Sequence, residues 1–193
     1  MAVNVFEELA RAALNAQGYF TFENAAYRLH SNARSLAGKD NPANTPSDID
    51  LIGVAPRKSG AERVLAVNCK GGKEPLMLTR DIERILNRSG QTVAGSPSRQ
   101  GFRELADDDW AKAFRGCIGA LTGESSFTHV TVVRTFEGNR TAWTRNEIFM
   151  KRLTPYLALW SLDDILRKLR SGETRLNVNN STLKLVDLLD RRT

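Results

Sequence analysis

Ser47-Asp48-Ile49-Asp50-Leu51-Ile52-Gly53-Val54 and, after a turn, Arg63-Val64-Leu65-Ala66-Val67-Asn68-Cys69-Lys70-Gly71-Gly72 form the stretch that decides the fold. Both runs are aliphatic and β-branched. The segment between them carries Lys58-Ser59-Gly60, and Gly71-Gly72 breaks the second run, so the pair reads as a β-hairpin. Alternate residues of a strand share a face. Asn68 and Lys70 therefore share one face, and Leu65, Val67 and Cys69 the other. Asp48 and Asp50 share a face of their own strand. The expected register brings Asp50, Asn68 and Lys70 together at one end of the hairpin. Acidic and amide oxygens suit a hard cation such as Mg2+ or Mn2+, which prefers oxygen ligands and keeps several waters. Such a metal can activate a water and stabilise charge on a phosphate. Lys70 can orient that water, help deprotonate it, or offset phosphate charge.

Working outward, residues 2–17 read as an amphipathic helix closed by Gly18. Residues 19–30 read as a first strand with an irregular end, and 31–47 as a loop rich in Ser, Asn, Gly, Lys and Pro. Beyond the hairpin, 77–89 reads as a helix and 90–102 as a polar loop. Asp107, Asp108 and Asp109 suit the start of a helix reaching about 121. The β-branched run 128–136 is a strand, 140–146 a short strand or turn, and 155–160 a strand. A helix over 162–169 starts from Ser161 or Asp163. The tail 174–190 alternates apolar and polar residues. Helices around a mixed sheet give an α/β layered domain. One domain over 1–193 is expected, with its core at about 2–170 and an extension at 171–193.

The chain has 193 residues, enough for a sizeable core, and no apolar run of membrane-spanning length. Its start lacks the basic end and long apolar stretch of a secretory signal. Cys69 and Cys117 lie far apart and cannot make a zinc site alone, which fits a reducing cytoplasm. The formal net charge of +6 suits a polyanionic partner, DNA first. A phosphate-binding GxxxxGK[ST] loop is absent, as are a His/Cys cluster and a serine-hydrolase elbow.

Asp50 before an apolar strand, then Asn68-Cys69-Lys70-Gly71 closing the next, resembles the PD-(D/E)xK nuclease superfamily. That superfamily includes restriction enzymes, Holliday-junction resolvases and many bacterial defence nucleases. Asp50 matches its first acid and Lys70 its lysine, whereas Asn68 stands where the second acid usually stands. The match covers roughly residues 2–70. The resemblance implies a restriction-endonuclease-like core and a metal-dependent DNA endonuclease of bacterial defence, repair or mobile-element processing. It implies a metal shell of Asp50, Asn68 and the Cys69 backbone carbonyl, with Lys70 positioning the attacking water. Many members also carry a glutamate on the first helix, at a spacing Glu7 matches before Gly18-Tyr19-Phe20. At about 100° per residue, Glu7 falls on the border of the stripe Phe6, Leu9, Ala10, Ala13 and Leu14, whereas Glu8 falls on the solvent side.

Asn68 leaves three readings open. An active enzyme could draw the missing charge from Asp48 or Glu7. A degenerate relative could only bind nucleic acid or a protein partner. Or the asparagine was introduced to trap an inactive form. A toxin-type nuclease delivered to competitors, and a homodimer of the kind many relatives use to cut duplexes, also belong to what the resemblance implies. Arg80, Arg84 and Arg88, spaced by four, form a stripe that can track a phosphate backbone, with Lys73 beside it. A solvated face paired with Asp81 and Glu83 explains that stripe equally well. His129 opens a strand as a structural residue, His30 lies on the surface, and Trp110, Trp143 and Trp160 suit core anchors.

Overall fold

The computed structural model describes residues 5–29, 46–71, 74–87 and 102–170. The elements run α1 (Val5–Ala16), β1 (Phe20–Tyr27), β2 (Ser47–Val54), β3 (Val64–Lys70), β4 (Leu76–Met77), α2 (Leu78–Leu86), α3 (Arg103–Ala106) and α4 (Asp108–Thr122). They continue with β5 (Thr128–Val133), β6 (Phe136–Glu137), α5 (Arg140–Thr144), α6 (Glu147–Arg152), β7 (Leu157–Trp160) and α7 (Leu162–Arg170). The main sheet has the order β1-β2-β3-β5-β7, while β4 and β6 make a small parallel pair. β1, β2 and β3 form the expected antiparallel meander. β5 joins β3 in parallel and β7 joins β5 in parallel, so the sheet is mixed.

Each face of the sheet is covered, which is why β3 is buried on both sides. One face packs Leu51, Leu65, Val67, Cys69, Val130 and Val132 under Leu9, Ala10, Ala13 and Leu14 of α1 and Ile165 of α7. The other packs Ile49, Ile52 and Ala66 against α2 to α6, with Phe114, Trp143 and Phe149 fully buried. Cys69 thus lies on the core face with Leu65 and Val67, as the alternation requires. Gly18, at φ +83°, ends α1 in the left-handed region, where glycine carries no Cβ penalty. Gly53 is needed for contact: a Cβ there would meet Tyr19 Cδ1 at 3.2 Å and Leu14 Cδ1 at 3.4 Å.

The helix starts follow the acids. Asp107 caps α4, its Oδ1 accepting from the Asp109 and Trp110 amides at 3.0 Å. Ser161 and Asp164 cap α7 reciprocally: Ser161 Oγ accepts from Asp164 N, and Asp164 Oδ2 accepts from Ser161 N.

Three local expectations are corrected. Residues 140–144 are helical rather than strand or turn, because the Asn139 side chain accepts from Thr141 N at 2.9 Å and caps a turn that buries Trp143. Residues 147–152 are a helix where none is expected, capped by Asn146 and anchored by buried Phe149. The strand from 128 stops at Val133, and Phe136 pairs elsewhere, with Leu76. The tail and extension at 171–193 lie outside the described residues, as do His30 and nearly all of the loops at 31–47 and 90–102. Among the described residues no helix is long and apolar enough to cross a membrane.

Candidate active site

The three parallel strands end together: β3 at Lys70, β5 at Val133 and β7 at Trp160. Carboxyl ends of strands are where open α/β sheets bind ligands. The paired register of β2 with β3 runs from Val54↔Val64 to Leu51↔Val67 and gives way at Asp50. There the Asp50 carboxylate takes over, Oδ2 accepting from the Cys69 backbone N–H at 2.5 Å. Burial pushes the Asp50 carboxyl up to about 6. The Cys69 N–H and the Lys70 ammonium pull it down, while Glu7 and Asp48 push it up. Burial and the neighbouring charges of Asp50 and Glu7 also push the Cys69 thiol up, so Cys69 is an inert thiol under ordinary conditions.

Glu7 therefore stands where its charge reaches both Asp50 and Cys69, across the interface of α1 with the sheet. Glu8 is used differently: it pairs with Arg11, which also bonds Glu23 of β1 at 2.7 Å. Glu7 and Glu8 are both half-buried, so Glu8 is not the purely solvent-side residue that the helical-face argument expected.

Asn68 points to the opposite face from Cys69 and meets a residue that sequence reasoning passed over. Its Nδ2 donates to Glu104 Oε1 at 2.7 Å. His129 Nε2 lies 3.3 Å from the same oxygen, and all three side chains are buried. A carboxylate only accepts, so Nε2 carries the proton of the His129 contact, and the Asn68 amide orientation follows. Although burial opposes ionisation, the hydrogen bond and charge of His129 and the charge of Lys70 hold the Glu104 carboxyl below its ordinary value. Lys70 thus lies in the field of two carboxylates, Asp50 from β2 and Glu104 from α3. Its Nζ rests 5.4 Å from the centre of the Phe102 ring. Glu104 puts back near Lys70 a negative charge that Asn68 does not bring.

The buried Asn68 Oδ1 has no hydrogen-bond partner among the described residues. The Asp50 carboxylate and the Cys69 carbonyl, where β2 and β3 part, and this amide oxygen on the other face of β3 are all oxygen donors. That set fits a cation of the Mg2+ kind, which takes one or two carboxylates and fills its shell with water and phosphate. It does not fit zinc, which favours a closed tetrahedral shell of Cys and His. Among the described residues no three His, Cys, Asp or Glu side chains form a metal-binding group.

Arg80 and Arg84 lie exposed on α2 and pair with Asp81 at 3.8 and 3.3 Å, as the solvated-face reading has it. Lys73 and Arg88 lie outside the described residues. Trp143 and Trp110 are core residues, and Trp110 also takes the Arg103 guanidinium over its ring at 4.8 Å.

Comparison with protein-family models, with curated proteins and with solved structures found no match.

Proposed function

We propose that this protein is a metal-dependent phosphodiesterase acting on DNA, built on a restriction-endonuclease-like core. The observation that carries the reading is that Lys70, at the carboxyl end of β3, lies in the field of both Asp50 and Glu104, with the charge of Glu7 reaching Asp50. The element order supports it: a helix, a three-stranded meander, then a helix leading to a strand parallel to the third. The net charge of +6 supports a polyanionic substrate.

Asp50, Asn68 Oδ1 and the Cys69 carbonyl would hold a divalent cation, which when bound supplies a Lewis acid for the phosphate and a more acidic water. Lys70 lies in the field of both carboxylates at the same strand end, where it would orient a water and offset phosphate charge. Glu104 fixes the Asn68 amide by accepting from Nδ2, which turns Oδ1 away from Glu104. His129 anchors Glu104 from the next strand. Glu7 adds negative charge on the α1 side and favours cation capture.

A second reading is favoured by Asn68 itself, since an amide weakens a divalent site: a nuclease-like domain that binds nucleic acid without cutting it. Calorimetry separates the two. Mg2+ is titrated into the protein and into Asp50→Asn, and a short DNA duplex is titrated with Mg2+ or with EDTA. A nuclease should take up Mg2+ through Asp50 and bind DNA more tightly with it. DNA binding indifferent to Mg2+, with no Mg2+ heat in either protein, would favour the binding module.

A further inference from the structure

Asp50 works at a place where two strands turn over together. On β1, Thr21 reaches Asn15 of α1 and Glu23 reaches Arg11, so odd residues before position 24 face α1. After it, Ala25 and Tyr27 pack with the opposite core. On β2 the same reversal occurs: Leu51 packs towards α1, whereas Ile52 and Ile49 both pack on the other side. A regular strand would send Ile49 with Leu51. The register on either side is continuous, Glu23↔Leu51 and then Ala25↔Ile49, with the pair between them missing. That missing pair is Asn24 and Asp50. Asn24 has φ +52°, the one non-glycine residue in the left-handed region among the described residues. Such a backbone is costly for most side chains and tolerated by asparagine.

We propose that Asn24 is a positioning residue for Asp50. Its left-handed turn reverses both strands at one level, so that the Asp50 carboxylate leaves the normal alternation and reaches the Cys69 N–H of β3. The proposal rests on the reading of Asp50 as a working carboxylate. The geometric part stands apart from it and is tested without activity.

The test uses the full chain with three substitutions. Asn24→Gly keeps access to positive φ, whereas Asn24→Val and Asn24→Ala resist it. Amide hydrogen exchange is followed at Cys69, with the amides of 65–67 as internal controls for general loosening. Protection of Cys69 should fall at least tenfold in Asn24→Val, more than at 65–67, and be kept in Asn24→Gly. If Asn24→Val fails to fold, Asn24→Ala decides in the same way. Equal protection of Cys69 in a folded Val or Ala variant would overturn the proposal. So would a loss shared evenly with 65–67. DNA cleavage read in parallel should fall at least tenfold in Asn24→Ala and be rescued in Asn24→Gly. A native chain that cuts nothing, yet shows the Cys69 pattern, would sink the nuclease reading and leave the positioning role of Asn24 in place.

Discussion

Asp50 is ionised at a cost. Its carboxyl is raised from 3.8 to about 6, with burial the leading cause. Between those values the folded chain holds a proton that the unfolded chain has released. The stability tied to this proton is full below about pH 4 and is lost as pH rises through 6. Asp50→Asn removes that penalty and keeps an oxygen to accept from Cys69. Thermal and urea melts should find the variant more stable than the native chain at pH 8, by on the order of 2–3 kcal/mol, with the difference vanishing near pH 4. A native advantage at pH 8 without metal would contradict the assignment. Glu104 behaves in the opposite sense. Its carboxyl is held low by His129 and Lys70 against burial, so its contribution is present at neutral pH and lost on acidification. Glu104→Ala strands two buried donors, Asn68 Nδ2 and His129 Nε2. It should cost about 3–5 kcal/mol in urea melts, against about 0.5 kcal/mol or less for Arg84→Ala on the surface. Asp50 leaves the alternation of β2, so its bond to the Cys69 N–H could not be read from the sequence, whereas Asn68 and Lys70 were legible as neighbours on one face of β3. Glu104 was not, since a single acid in a four-residue helix beyond a polar stretch carries no periodic signal. Its position is set by tertiary contact with β3 and β5.

At the scale of the element, the paired strands and the capped helices could be read locally. β3 is a central strand, so its aliphatic run had no other place than between two layers. Asp107 and Ser161 mark their helix starts by side chains that satisfy free amides. The short helices α5 and α6 were missed for a physical reason: five or six residues make less than two turns, too few for a hydrophobic repeat to show. They stand on Asn139 and Asn146 caps and on the burial of Trp143 and Phe149. Gly53 belongs to this scale, because it sets how closely β2 approaches the end of α1. Gly53→Ala would press a methyl group against Tyr19 and Leu14. It should destabilise by about 1–3 kcal/mol in denaturant melts. A neutral or stabilising effect would mean that Tyr19 moves aside freely and that α1, with Glu7, is not held at a fixed height over the site.

Across the whole molecule, α1 and α7 on one face and α2 to α6 on the other leave the carboxyl ends of β3, β5 and β7 to carry the site. The mixed sheet was legible as a class, from a hairpin followed by separated helices and strands. The parallel addition of β5 and β7 was not, because register between distant strands is settled by packing rather than by local sequence. The excess of positive charge should make DNA binding weaken steeply as salt is raised, in proportion to the phosphates contacted. The most direct measurement is cleavage of supercoiled plasmid and single-stranded DNA, with Mg2+, Mn2+ or EDTA, by the native chain, Lys70→Ala and Asn68→Glu. The expected result is cutting by the native chain that needs the metal and disappears in Lys70→Ala. Cutting by Asn68→Glu alone would contradict it by marking the native site as disabled. DNA bound but uncut by every form would replace the nuclease with a binding module.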